Sequence, residues 1–285
     1  MKIFTPFPGE YVASALQRGN EMLGLKNLTE KDFYIKPVPR KGFGYALGDK
    51  CEWRNHAIFQ FPHFFTERHV SEEVLQNFTL YPLTTALGRT RADIVVTPRE
   101  WKKICPSCVL EDFESYGTAY VHRRHVPASV RVCSIHNLKL MDTCTTCSMP
   151  MNNHQLSKLG VCSRKYQFMF VGSDSFSLAY SKFIADLLKY DGPTTTSHQA
   201  DWAIFSSIRL KYGNEIRQDD EFIPNFIKSE FGVDVKHPAR TYSDNNYTIL
   251  AFLGCETAER YLNLIFKTEE SSRLGKDLKS LYYGL

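Results

Sequence analysis

Apolar residues recur every three or four positions in several stretches of this chain, and each such stretch predicts an amphipathic helix. Between Glu10 and Leu23, the residues Tyr11, Ala15, Leu16 and Leu23 fall near one face, after Pro6 and Pro8. From Phe176 to Tyr190 the face is Phe176, Tyr180, Phe183, Ile184, Leu187 and Leu188. Asp201 to Tyr212, Glu221 to Phe231 and Asn246 to Phe266 predict three more helices, the last broken near Gly254. A short helix is expected from Glu67 to Gln76, ahead of the stretch NFTLYPL at 77–83. Lys36 to Phe65 shows no such period and is rich in Pro, Gly and aromatics. DGPTTTSH at 191–198 has the composition of a linker, and the polar tail from Lys267 is expected to fray.

The periodicity lapses between about Arg99 and Lys165, where cysteines and turn residues replace it. The pattern therefore predicts a mainly α fold in three parts. Residues 1–98 form an N-terminal helical unit with helix-turn-helix-like character. Residues 99–168 form a small, irregular zinc-binding domain of zinc-ribbon-like type, and residues 169–285 form a C-terminal helical domain. Metal takes the place of a hydrophobic core in such small domains.

The 285 residues are 43% hydrophobic and 23% charged, ordinary globular usage. The 35 Lys and Arg against 31 Asp and Glu give a net charge of +4. That permits contact with a nucleic-acid backbone without requiring it. No run of 18 apolar residues predicts a membrane span, and the opening MKIFTPFPGEYVASALQRGN makes a poor signal peptide. The expected compartment is the cytoplasm.

Six of the eight cysteines lie between 105 and 162, and this clustering points to metal rather than disulfides. Cys51 and Cys255 stand apart and read as buried small hydrophobes. Cys105-x-x-Cys108 and Cys133-x-x-His136 are two hooks of the kind that converge on one zinc. The competing reading of Cys105-Pro-Ser-Cys108 as a thioredoxin-like redox pair leaves the second hook unexplained. A catalytic zinc would keep one position open for water, whereas four protein ligands close the shell. The patterns HExxH, GxGxxG and GxxxxGK[ST] are absent, and no HxE precedes Cys105 as nucleobase deaminases require. Glu111 and Asp112 read as a surface carboxylate pair. Cys144-x-x-Cys147 forms a third hook, with His154 and Cys162 as further ligands of a second zinc whose fourth ligand stays open. Inside the first site, His122 and His125 are expected to support the ligands by hydrogen bonds from outside the coordination shell. Arg123 and Arg124 offer planar donor forks suited to phosphate or carboxylate.

The segment CPSCVLEDFESYGTAYVHRRHVPASVRVCSIHNLKL resembles the zinc domain of the TniQ/TnsD family of transposon target-selection proteins. The residues that carry the resemblance run from Cys105, Pro106 and Cys108 through Glu111, Asp112, Tyr116, Gly117 and Tyr120. They continue with His122, Arg123, His125, Pro127, Val132, Cys133, His136 and Leu140. Pro6, Pro8, Glu10, Ser14 and Arg18 are similar to the family's opening pattern, which starts a helix-turn-helix-like unit. The stretch at 77–83 has Phe78 where the family commonly has histidine. Two departures stand out: Cys162 is alone where many members carry a second cysteine close by, and the chain is shorter than the large TnsD proteins. The resemblance implies a non-enzymatic adaptor of the bacterial cytoplasm, most like the short TniQ proteins of CRISPR-associated transposons. Such an adaptor links a CRISPR effector complex, with its guide RNA and target DNA, to an AAA+ transposition regulator, and acts as a homodimer. The alternative it leaves open is a TnsD-like protein that binds attachment-site DNA directly. For either partner the candidate contacts are Arg18, Arg40, Lys41, Arg89, Arg91, Arg123 and Arg124.

Overall fold

A computed structural model describes residues 5–24, 36–39, 57–60, 72–88, 101–166, 168–172, 175–219, 221–232 and 244–271. Helix α1 spans Val12–Met22, and an antiparallel pair β1 (Lys36–Pro39) and β2 (Ala57–Gln60) follows, registered through Val38 and Ile58. Two short helices, α2 (Glu72–Phe78) and α3 (Tyr81–Ala86), precede α4 (Pro106–Tyr116). A single helical turn, α5 (Leu159–Ser163), closes the cysteine-rich stretch. Then come α6 (Phe176–Leu187), α7 (Ser197–Gln218), α8 (Phe222–Phe231), α9 (Asp244–Cys255) and α10 (Ala258–Ser271). The fold is mainly α-helical. The chain gathers into two compact units, 1–84 with 90–191, and 85–89 with 192–285.

In the first unit α1 is fixed by one buried carboxylate. Glu10 is fully buried, and its Oε1 accepts from Ser14 Oγ (2.9 Å) and Arg18 Nε (3.2 Å). Its Oε2 accepts from the Phe7 N–H (2.9 Å) and Arg18 Nη2 (2.9 Å). Ser14 and Arg18 recur at a spacing of four and so share one helix face above Glu10. Removing any one partner leaves a buried charge short of hydrogen bonds, which is strongly destabilising. The network reaches outward, because Ser14 Oγ accepts from the Val121 N–H at 2.9 Å. Backbone bonds from Tyr11 N–H to Val121 O (2.8 Å) and from Arg123 N–H to Gly9 O (2.9 Å) complete the seam. The start of the chain is thereby laid along the cysteine-rich segment.

The second unit is built on α7, against which α9 and α10 pack. Thr196 and Gln199 form a full capping box at its start, inside the stretch that composition assigns to a linker. The helix runs beyond the expected Tyr212 to Gln218, with a kink at Tyr212 (φ −121°). The break expected near Gly254 falls at Glu256, which takes φ 62° between α9 and α10. Gly254 lies within α9, where an added Cβ would stand 3.0 Å from Ile204 O and Ser207 Cβ. Its role is close helix contact. Helix α10 continues to Ser271, past the residue where fraying is expected.

Three further expectations are not seen among the described residues. Leu23, placed on the buried face by periodicity, is 56% exposed at the C-cap of α1. Among the described residues no helix-turn-helix unit is formed around α1: β1 is the next described element, and α2 and α3 have only seven and six residues. The cysteine-rich segment is tied by isolated bridges (Ile104 with Met141, Val132 with Lys139, Thr143 with Pro150) rather than by a ribbon hairpin.

Gly88 sets up a test of the second unit. Its φ is +63°, and a Cβ there would meet Thr196 O at 2.2 Å. Backbone carbonyl cannot yield as a flexible side chain would. Gly88→Ala is expected to destabilise the chain by about 3 kcal/mol, combining left-handed strain with a backbone clash. Urea unfolding followed by circular dichroism would register this as a lowered midpoint.

Candidate metal centres

The first cysteine pair is placed by a helix. Cys105 is the N-cap of α4 (φ −96°, ψ 128°), Pro106 follows it, and Cys108 lies in the first turn. Proline suits the first helical position because its missing N–H would have had no intrahelical acceptor. Sulfurs at this end also meet the positive end of the helix dipole, which favours thiolate. Gly117, at φ 70°, ends the helix by donating its N–H to Phe113 O.

The second pair sits on a tight turn. The Asn137 N–H returns to Cys133 O (3.1 Å), the Cys133 N–H donates to Leu138 O (2.8 Å), and Asn137 takes φ 57°. The chain then repeats the same turn at the third hook. There the Ser148 N–H returns to Cys144 O (2.8 Å), the Cys144 N–H donates to Met149 O (2.8 Å), and Ser148 takes φ 58°. Both turns point two ligand side chains to one side of the loop.

The ligand atoms of Cys105, Cys108, Cys133 and His136 all lie within 4.8 Å of one another. Cys108 Sγ is 3.8 Å from Cys133 Sγ, and His136 Nδ1 is 3.5, 3.3 and 3.7 Å from the sulfurs of Cys105, Cys108 and Cys133. A tetrahedral zinc with bonds of about 2.3 Å to sulfur and about 2.0 Å to nitrogen has S–S edges of about 3.8 Å and S–N edges of about 3.5 Å. The donor set and its edges fit a Cys3His ion. Three sulfurs this close do not ionise unaided: hydrogen bonds to Cys105 and Cys133, together with burial, push the Cys108 thiol far up. A divalent cation removes that conflict, and four protein donors fill its shell.

The groups around the ligands are equally specific. His136 presents Nδ1 to the sulfurs while its Nε2 meets Glu111 Oε1 at 2.9 Å. A carboxylate on the far nitrogen fixes the tautomer and orients the ring. Arg124 Nη2 donates to Cys108 Sγ at 3.3 Å. His125 is buried, and burial brings its pKa down to about 4, so a neutral imidazole stands beside Cys133. His122 Nε2 lies 3.1 Å from both oxygens of Asp112, which is itself buried. Asp112 is therefore buried, unlike the surface group that sequence suggests, whereas Glu111 is exposed as expected but turns its carboxylate to His136. They stand three and four residues after Cys108 on α4, on the face that looks at the site. The signal was present as that spacing, but it needed the helix, which the turn-rich texture had hidden.

The second cluster is Cys144, Cys147, His154 and Cys162, again with all ligand atoms within 4.8 Å of one another. His154 Nδ1 lies 2.8 Å from Gln155 O, to which it donates, leaving the Nε2 lone pair for a metal. Thr146 Oγ1 donates to Cys162 O at 2.8 Å and draws the end of α5 onto the hook. Buried Lys102 holds the His154 segment through Asn152 O (2.9 Å) and His154 O (3.4 Å). This donor set also fits zinc, with Cys147 exposed and Cys162 half-buried.

Residues 3–140 match the family model described as TniQ. Through this first half, the chain belongs to the TniQ family. A comparison with curated proteins gives no match. The TniQ match ends before the second cluster, so that cluster stands on its own geometry. Within the TniQ segment the basic residues singled out by sequence are turned inward. Arg18 is held by Glu10 and lies 4.0 Å over the Phe7 ring. Arg123 donates to the carbonyls of Gln76, Thr79 and Leu188, and burial lowers its pKa to about 10. Arg124 faces the sulfur of Cys108. Arg40, Lys41, Arg89 and Arg91 lie outside the described residues. Among the described residues no helix is long and apolar enough to cross a membrane.

Two measurements test the centres. Elemental analysis of the purified chain should give two zinc ions, and Cys133→Ser should lose one together with the cooperative unfolding of the first unit. Glu111→Gln should keep the fold but weaken zinc binding at the first centre by about 10–100-fold in a chelator competition, because only the orientation of His136 is lost.

Proposed function

We propose that this TniQ-family chain is a non-enzymatic adaptor in the selection of transposition targets. It links an RNA-guided CRISPR effector complex, carrying guide RNA and target DNA, to an AAA+ transposition regulator, and it acts as a homodimer in the bacterial cytoplasm. The first zinc is a folding element that holds the N-terminal segment against the cysteine-rich segment. The three sequence segments, 1–98, 99–168 and 169–285, are the modules that would meet different partners.

The observation that supports the adaptor over autonomous DNA binding is the fate of the basic side chains. Arg18, Arg123 and Arg124 are satisfied by a carboxylate, backbone carbonyls and a thiolate within the protein. Phosphate-driven affinity scales with the number of cations that reach the backbone, and these three are already committed. The other reading, direct recognition of an attachment site as in TnsD, would need a helix-turn-helix-like unit with side chains seated in the major groove.

Affinity purification of the tagged, nuclease-treated chain separates the two. Retention of the effector proteins and the AAA+ regulator, with weak binding to attachment-site duplex alone, is the expected result. Tight, competitor-resistant binding of a fixed duplex by the chain alone would replace the adaptor reading with the TnsD-like one.

A further inference from the structure

The charge of this chain is unevenly placed. Between Gly117 and Gly172 there are seven Lys and Arg but a single acidic residue, Asp142. That segment carries the whole positive excess, and two Cys3His zinc centres, each with one net negative charge, would still leave it positive. With Arg123 and Arg124 turned inward, the remaining cations include Lys139, Lys158, Arg164 and Lys165, all exposed. Among the described residues none of these four has an ion-pair partner.

Large apolar side chains are exposed between and beside them. Val161 is 75% exposed, and Phe168, Met169 and Phe170 are 41%, 55% and 76% exposed. The Lys139 N–H donates to Met169 O (2.9 Å) and Leu138 bridges Phe170, so the backbone that carries Lys139 runs beside the aromatic stretch. Lys158, Arg164 and Lys165 lead into it along α5 and the turn that follows. Cations for a phosphate chain, interleaved with aromatic faces, are the components of a single-strand binding surface, since each base offers a face to stack on. A duplex buries those faces and would leave Phe168 and Phe170 without a partner.

We infer that the exposed strip of Lys158, Arg164, Lys165, Phe168, Phe170 and Lys139 binds single-stranded DNA. The choice of DNA over RNA rests on the reading of the chain as a component of DNA transposition; the strip itself contains no hydroxyl or amide side chain with which to favour a 2′-OH. A protein with an acidic surface would use the cations but not the aromatic faces.

The full, zinc-loaded chain can be titrated into fluorescein-labelled oligo-dT, oligo-rU and a duplex of equal length, by anisotropy across a range of salt. Oligo-dT should bind more tightly than duplex and at least as tightly as oligo-rU. The combined variant Lys139→Gln, Lys158→Gln, Arg164→Gln, Lys165→Gln should lose most of this binding, with the slope of log K against log salt falling by about 3. The pair Phe168→Ala and Phe170→Ala should weaken binding roughly tenfold or more at an unchanged slope. Zinc content and circular dichroism report whether each variant folds, and either variant alone suffices. The inference is overturned if folded variants bind like the parent chain, if duplex or oligo-rU is preferred, or if no oligonucleotide binds at low salt. If, in the co-purification described above, a variant that still binds oligo-dT loses the AAA+ regulator, the strip belongs to a protein instead. Because this assay contains no protein partner, its failure leaves the co-purification result standing, and the reverse also holds.

Discussion

Four ligand atoms from two distant hooks meet at the N-terminus of α4, and the first unit is arranged around that meeting. The segment buries apolar side chains such as Trp101, Ile104, Val121, Leu138 and Met151, and ligand convergence adds to that core the constraint that its many turns do not supply. The consequences spread by contact. The bridge between Ile104 and Met141 brings the second hook under the first. Glu111 and Asp112 of α4 then fall beside His136 and His122. Once His122 is held by Asp112, the backbone at Val121 and Arg123 is in place to pair with Gly9 and Tyr11.

Three charged side chains in this unit share a logic. Glu10 collects Ser14, Arg18 and a backbone N–H; Asp112 collects His122; Arg123 collects three carbonyls from two separate stretches of chain. Each group would be costly if left alone and is tolerated because its partners are complete. Such networks admit few alternative arrangements, since shifting one member strands another. The aromatic stack of Phe7 on Tyr116, with ring centroids 4.5 Å apart, adds apolar area to the same seam.

The two zinc-binding turns illustrate one local solution used twice in different surroundings. Both place a non-glycine residue, Asn137 or Ser148, in the left-handed region after the second ligand. Asparagine tolerates that conformation well and serine less so. The first turn is shielded by α4 and Arg124, whereas the second stands at the surface with Cys147 exposed. Similar ligand chemistry thus coexists with different solvent access.

Much of this was legible from residue order. Helical periodicity located α1, α6, α8 and the α9–α10 stretch because a one-sided apolar pattern at that spacing has few other stable uses. Cysteine and histidine spacing picked out the three hooks because two ligands on a two-residue gap converge almost regardless of context, whereas His154 and Cys162, without that spacing, stayed open as ligands of the second cluster. Residue order did not reveal α4, since its helix is shared between ligands and packing and lacks a clean apolar stripe. It did not reveal where Glu111, Asp112, Arg123 and Arg124 point, because a charged side chain carries no local mark of being buried. That depends on which carbonyls, thiolates and imidazoles the tertiary fold brings within hydrogen-bond reach, and only the folded chain decides it.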